Sequence, residues 1–296
     1  MTVVQHTKRA KAPAVRQGFY FARTAPIVFR ALLTLLAALM LFSCASAPHE
    51  GTSLAAQEKP SFIPQEIVWT PLLSGAAYFC YENKTLPVRY HCVRIDLATS
   101  GLQIVSYPRQ TGAYAGKTTR AFAQETGAQI AINATPFAGR FFKKRTVGVH
   151  IADGTIFSAP VARYDALAFM QEQDGYRARL VIAQDKAQCA RAAHAFGGFW
   201  TILQDGVPQQ FAHTSYTART AAGISADGRT LYLLAVEKDA GLSFQQCADI
   251  FLALGVPDAL QLDGGSSSDL AINGKSVFAR TVRQRVGVSC GFIFSH

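Results

Sequence analysis

Asp258-Ala259-Leu260-Gln261-Leu262-Asp263-Gly264-Gly265-Ser266-Ser267-Ser268 is a short apolar run that ends in a carboxylate, two glycines and three hydroxyls. Before it, Phe244, Cys247, Phe251 and Leu254 recur at helical spacing behind Ser243, and Gly255 and Pro257 close the segment. Ser243 with Gln246 three residues on has the form of a capping box, and glycine takes a left-handed helix stop without penalty. The order is therefore helix, strand, polar loop. Glycines let the backbone approach a ligand closely, and successive N–H groups in such a turn make a concave seat for an anion such as phosphate. The competing reading is a tight turn between strands, since Asp-Gly and Gly-Gly are also hairpin signals and Ile272-Asn273-Gly274-Lys275 resembles another such turn.

Outward from this stretch, strands are predicted at Ala76–Tyr81, Val88–Leu97, Leu102–Tyr107 and Gln129–Asn133, and a buried strand at Leu231–Val236. Thr118–Thr126 reads as a helix stopped by Gly127. Asp153-Gly154, Asp205-Gly206, Asp227-Gly228 and Asn273-Gly274 each lie between apolar or alternating runs, the mark of antiparallel hairpins. The expected fold is a single α+β domain over residues 65–296, with a mixed, largely antiparallel β-sheet and helices packed on it.

The 296-residue chain is 49% hydrophobic, ample for a globular core, and its formal charge is +10. Six basic residues and no acid lie in the first 30, so the remainder carries only +4, and no basic stripe interleaved with aromatics follows. No nucleic-acid partner is expected. Behind the basic leader, Ala31 to Phe42 is an apolar run too short to span a bilayer alone and of the length of a signal-peptide core. Leu41-Phe42-Ser43-Cys44 has the form of a bacterial lipobox, so residues 1–44 are read as a signal with Cys44 as the lipidation site. Cleavage after Ala45 or an uncleaved anchor are the competing readings. Residues 45–64 are small, polar and proline-bearing, and read as a tether. An exported, membrane-anchored lipoprotein follows. Five further cysteines remain, an odd number. Cys80 and Cys92 stand symmetrically about Leu86 in a hairpin, placed either to bridge or to stay as free thiols.

Gly112-Ala113-Tyr114-Ala115-Gly116-Lys117-Thr118 follows a strand and precedes a helix as a phosphate loop would, but it is one residue short, and no nucleotide is expected. Phe137 to Arg145 is a basic, aromatic loop. His150 and His194 lack metal-ligand spacing and read as structural.

Several blocks, taken in order, resemble the phosphodiester glycosidase family. They are Thr126-Gly127-Ala128 with Ala131-Ile132-Asn133, Gly197-Gly198 before Leu203-Gln204-Asp205-Gly206, Ala218-Arg219-Thr220-Ala221-Ala222-Gly223, and Leu242 through Ser268. Departures are Ala134-Thr135-Pro136 where the family carries glycines, and Ser266 where it carries a third glycine. The resemblance implies hydrolysis of a sugar 1-phosphodiester on a phosphorylated glycan. Arg219 and Thr220 would grip phosphate, the first by its planar fork. Gly264, Gly265, Ser266 and Ser267 would bind it by N–H and hydroxyl groups. Asp263 repels a phosphate, so it would face the sugar as nucleophile or base, or hold a divalent cation. Asn133 would contact the sugar or orient Asp263. A phosphosugar-binding lipoprotein without turnover is the alternative; a serine hydrolase ranks below both, as no Gly-x-Ser-x-Gly elbow is present.

Overall fold

The computed structural model describes residues 62–140, 142–212, 215–238, 241–278 and 287–295. The basic leader, the apolar run, Cys44 and most of the tether lie outside the described residues. Residues 62–64 already pack on the domain: Ile63 is buried, and the Tyr90 hydroxyl donates to Phe62 O at 3.0 Å. Among the described residues no helix is long and apolar enough to cross a membrane.

Strands form where alternation and turn chemistry agree. Asp153-Gly154, Asp205-Gly206 and Asn273-Gly274 all take positive φ at both positions, as a type I′ hairpin turn requires. The strands gather into three principal sheets. The largest has eight, in the order Thr70–Leu73, Ala76–Asn83, Val88–Asp96, Thr230–Val236, Arg219–Ile224, Asp258–Gln261, Thr201–Gln204, Val207–Pro208. A five-stranded sheet runs Gly175–Val181, Ala166–Glu172, His194–Gly197, His150–Ala152, Thr155–Ser158. The other runs Lys275–Ser276, Leu270–Ile272, Ile130–Asn133, Ser289–Phe294, Leu102–Tyr107. Neighbouring strands in these sheets pair antiparallel.

The period of two along each strand splits the apolar residues between two layers. Val93, Leu233, Ala222 and Leu260 from the large sheet meet Leu167, Phe169 and Phe196 from one small sheet and Ile130, Ile132 and Phe292 from the other in a central core. The outer faces are covered in patches. Helix Phe244–Ala253 covers Ala221, Leu234 and Ala259 through Cys247, Ala248 and Phe251. Helix Thr119–Thr126 lays Phe122 and Ala123 on Ala131 and Ala271, and the one-turn helix Lys186–Cys189 adds Cys189 to the third patch.

This overturns the α+β expectation. The fold is mostly β-sheet, and its helices of eight, four and ten residues are outer covers, since three apolar inner faces bury one another without them. The helix ends are as the sequence predicts: Ser243 and Gln246 make the capping box, Thr118 accepts from Ala121 N, and Gly127 ends its helix at φ +74°. The Cys80–Cys92 bridge does not form. The hairpin register pairs Cys80 with His91 and Cys92 with Phe79, one residue away from the symmetric pairing. That single step turns the two thiols to opposite faces, and both are free.

Candidate active site

Asn133 ends a strand of one small sheet and Thr220 lies in the large one, so the end of the central core is where the two sheets meet. Asn133 is buried there and joins three segments. Its Nδ2 donates to the Asp263 carbonyl at 2.7 Å, and its Oδ1 accepts from Thr220 Oγ1 at 2.8 Å and from Asp269 N at 3.0 Å. A buried amide that meets its acceptor and donors in this way fixes all of them. Asp263 N donates to Ala134 O at 2.8 Å, so the Asp263 backbone is held on both sides by residues 133 and 134.

The strand that delivers Asp263 is locked from the other direction. Gln261 Nε2 donates to Thr220 O and to Leu262 O, at 2.8 and 2.9 Å, and Leu262 N donates to Thr220 O. Gly198 lies against the same strand so closely that a Cβ would come within 2.6 Å of Gln261 O, which explains a glycine in that block. Gly265 takes φ +62° and opens a short 3-10 turn through Ser267.

Asp263 keeps part of its surface open, yet burial dominates its titration and pushes its pKa up to about 6. Hydrogen bonds from Ser267 and from Gly264 N (3.0 Å) and the charge of Lys144 act against that rise. A carboxyl poised there exchanges protons near neutral pH while remaining mostly ionised above it.

The structure therefore brings Asn133, Thr220, Asp263, Gly264 and Ser267 together. Thr220 spends its hydroxyl proton on Asn133. The Gly264 and Gly265 N–H groups point to Asp263 Oδ1 and Ala218 O, so in this arrangement both are engaged within the protein. Ser266 is exposed at the turn. Arg219 lies on the opposite face of the sheet. Its Nε donates to Leu242 O at 2.9 Å, one terminal nitrogen donates to Ser215 O and Oγ at 2.6 and 2.9 Å, and the guanidinium stacks 4.1 Å from the Phe244 ring centroid.

Sequence reasoning missed two contributors. Lys144 is buried with its Nζ 3.9 Å from the Phe137 ring centroid, and Tyr114 exchanges backbone hydrogen bonds with Lys144 at 2.9 and 3.0 Å. Both act electrostatically on Asp263, or feel it. Lys144 stands in the basic, aromatic loop and Tyr114 in the loop resembling a phosphate loop; neither local pattern points to Asp263. His150 and His194 are buried, and burial lowers the pKa of both, to about 4 for His150. Among the described residues no group of three or more His, Cys, Asp or Glu is placed to hold a metal ion.

Comparison with solved structures supports the fold. The catalytic domain of zebrafish N-acetylglucosamine-1-phosphodiester alpha-N-acetylglucosaminidase, auto-inhibited by its pro-peptide, aligns with TM-score 0.58 at 17% identity, over 80% of this chain and 86% of that one. A hypothetical protein from Synechocystis aligns with TM-score 0.58 at 14% identity, over 75% of this chain, which spans 62% of that protein's length. A Burkholderia pseudomallei K96243 protein whose name carries the words exported protein aligns with TM-score 0.59 at 14% identity, over 70% of this chain and 74% of that one. No curated protein matches in sequence. The phosphodiester glycosidase family model matches residues 126–293, a span holding Asn133, Lys144, Thr220 and the Asp263 turn, and the chain belongs to that family.

Proposed function

We propose that the protein hydrolyses a sugar 1-phosphodiester, breaking the bond between the anomeric carbon and the phosphate oxygen. Asp263 carries the reading: a carboxyl held at the tip of a buried strand, raised to about 6 and partly open to solvent, is an expensive arrangement without a chemical task. Family membership supports the same reading. The leaving phosphate takes the bonding electron pair as a stable anion, so little general-acid help is required. Asp263 acts on the sugar side, as nucleophile or as the base that activates water. Asn133 is a positioning residue, since it holds the Asp263 backbone rather than facing outward. Lys144 and the exposed Ser266 are the groups through which the phosphate is drawn to the turn. The substrate is a phosphorylated glycan.

The test is release of a chromogenic aglycone from a sugar phosphodiester, set against a simple ester, by wild type and Asp263→Asn. Turnover of the diester alone, lost in the variant, supports the reading. Binding of the diester without turnover by wild type would move the assignment to a phosphosugar-binding protein. Export with lipid anchoring at Cys44 belongs to the same proposal and rests on the leader composition. Mass spectrometry of the membrane fraction tests it; an unmodified N-terminus at Ser46, or an intact leader, overturns it.

A further inference from the structure

Cys80 is exposed, whereas Cys92, Cys189, Cys247 and Cys290 are buried. Its direct partner across the hairpin is His91, so the two side chains share a face. The His91 ring is fully buried and bonded at both nitrogens: Nε2 to Glu237 Oε1 at 2.9 Å, and Nδ1 to the Tyr78 hydroxyl at 2.8 Å. The Phe278 ring stacks on it, centroids 5.7 Å apart. Arg89 Nε stands 3.3 Å from the same Glu237 oxygen, and another nitrogen of Arg89 lies 3.6 Å from Glu82.

A carboxylate only accepts, so Nε2 carries a proton, and the Tyr78 oxygen can accept a second from Nδ1. The ring therefore has an oxygen able to accept a hydrogen bond beside each nitrogen. A buried histidine–glutamate pair alone would be an ordinary structural brace. Here the brace has an outlet, because His91, Tyr78 and Arg89 all turn toward Cys80, the one exposed thiol among the described residues. Burial opposes charge on Cys80 and on His91. It is outweighed in both, by His91 and Arg89 for the thiol and by hydrogen bonds to Cys80 and Glu237 for the ring, so the thiol pKa falls and the imidazole pKa rises.

We propose that Cys80 is a thiol–disulfide exchange site for small disulfides, set beside His91, Arg89 and Tyr78 with Glu237 behind them. The Cys80 sulfur attacks one sulfur of the disulfide, a new S–S bond forms to it, and the second sulfur leaves as a thiolate that takes a proton from solvent. No external oxidant or reductant is consumed. The site is separate from Asp263: Cys80, His91, Ala235 and Thr220 are register partners on four adjacent strands, which places Cys80 three strand spacings, about 14 Å, from Thr220.

Oxidised glutathione is the probe. Folded wild-type protein is incubated with it between pH 5 and 9, and adducts are followed by intact mass and peptide mapping. The expected result is one adduct, on Cys80, whose rate rises with a midpoint below the value of about 8.5 for an ordinary thiol. His91→Gln should raise that midpoint and slow the reaction at pH 6 by about threefold per unit of rise, since lost thiolate is partly offset by greater nucleophilicity. Arg89→Gln, at a half-exposed position, should shift it in the same direction and serves if the His91 variant does not fold. An adduct that forms only in denaturant, or on another cysteine, overturns the proposal. So does a midpoint equal to that of an ordinary thiol and unmoved by either variant.

Discussion

Arg219 and Thr220 are neighbours in the chain and strangers in the fold. Thr220 faces the core between the sheets and gives its hydroxyl proton to Asn133, which holds the Asp263 turn. Arg219 faces the covering helix, with its guanidinium over Phe244 and two of its three nitrogens bonded to Leu242 and Ser215. One step along a strand reverses the face, so a two-residue motif that reads as one phosphate grip becomes two devices. The Thr220 face ends in a partly open carboxyl; the Arg219 face is closed, and its cation ties the chain before the strand to the loop before the helix.

The largest expected effect breaks the first face. Asp263→Asn should lower turnover of a sugar phosphodiester at least about a hundredfold, the lower end of what acid–base catalysis contributes, while binding of the unreacted diester survives or improves. A rate within a few-fold of wild type would reduce Asp263 to a turn residue.

The same variant should be the more stable protein at neutral pH. Because the folded pKa is raised from 3.8 to about 6, the wild-type carboxyl favours the folded state below pH 4 and loses that advantage as pH rises through 6. Asn stays neutral. At pH 8 Asp263→Asn should gain about 2 kcal/mol in denaturant unfolding, allowing for the partial exposure, and the gain should vanish by pH 4. An equal gap at both pH values would show that ionisation is not its source.

The second face answers to Arg219→Lys. An ammonium cannot serve both Leu242 O and Ser215 O or stack as a plane, so stability should drop by about 1–2 kcal/mol while phosphosugar affinity changes little. Unchanged stability with affinity lost tenfold would instead assign Arg219 to the phosphate.

The smallest effect sharpens the electrostatics. Activity that needs ionised Asp263 should fall on the acid side with a midpoint near pH 6. Lys144→Gln removes the charge that restrains the rise and should move that limb upward by less than about one pH unit. A downward move would place Lys144 elsewhere.

Much of this was legible beforehand. Helix ends at Ser243, Thr118 and Gly127 and hairpins at the Asp-Gly and Asn-Gly pairs are local events, each decided by a cap or a positive φ within a few residues. A carboxylate at the end of an apolar strand beside two glycines is locally odd, but it reads equally as a tight turn, and it is the family resemblance over the longer blocks that marks Asp263 as a site residue. The bond from Asn133 to Asp263 spans 130 positions, and Lys144 and Tyr114 reach the site through folds of the loops; no nearby residue encodes either.

By itself, then, the sequence determined where elements begin and end, which runs are apolar, and that a carboxyl meets a glycine turn, because these follow from short-range sterics and hydrogen bonding. The tertiary structure alone decided that three sheets, not one sheet clad in helices, enclose the core, that Cys80 meets His91 rather than Cys92, and that Arg219 turns away from Thr220. Register and face are properties of paired strands: shifting a pairing by one residue costs nothing visible in the local sequence, yet exchanges every side chain between the two faces.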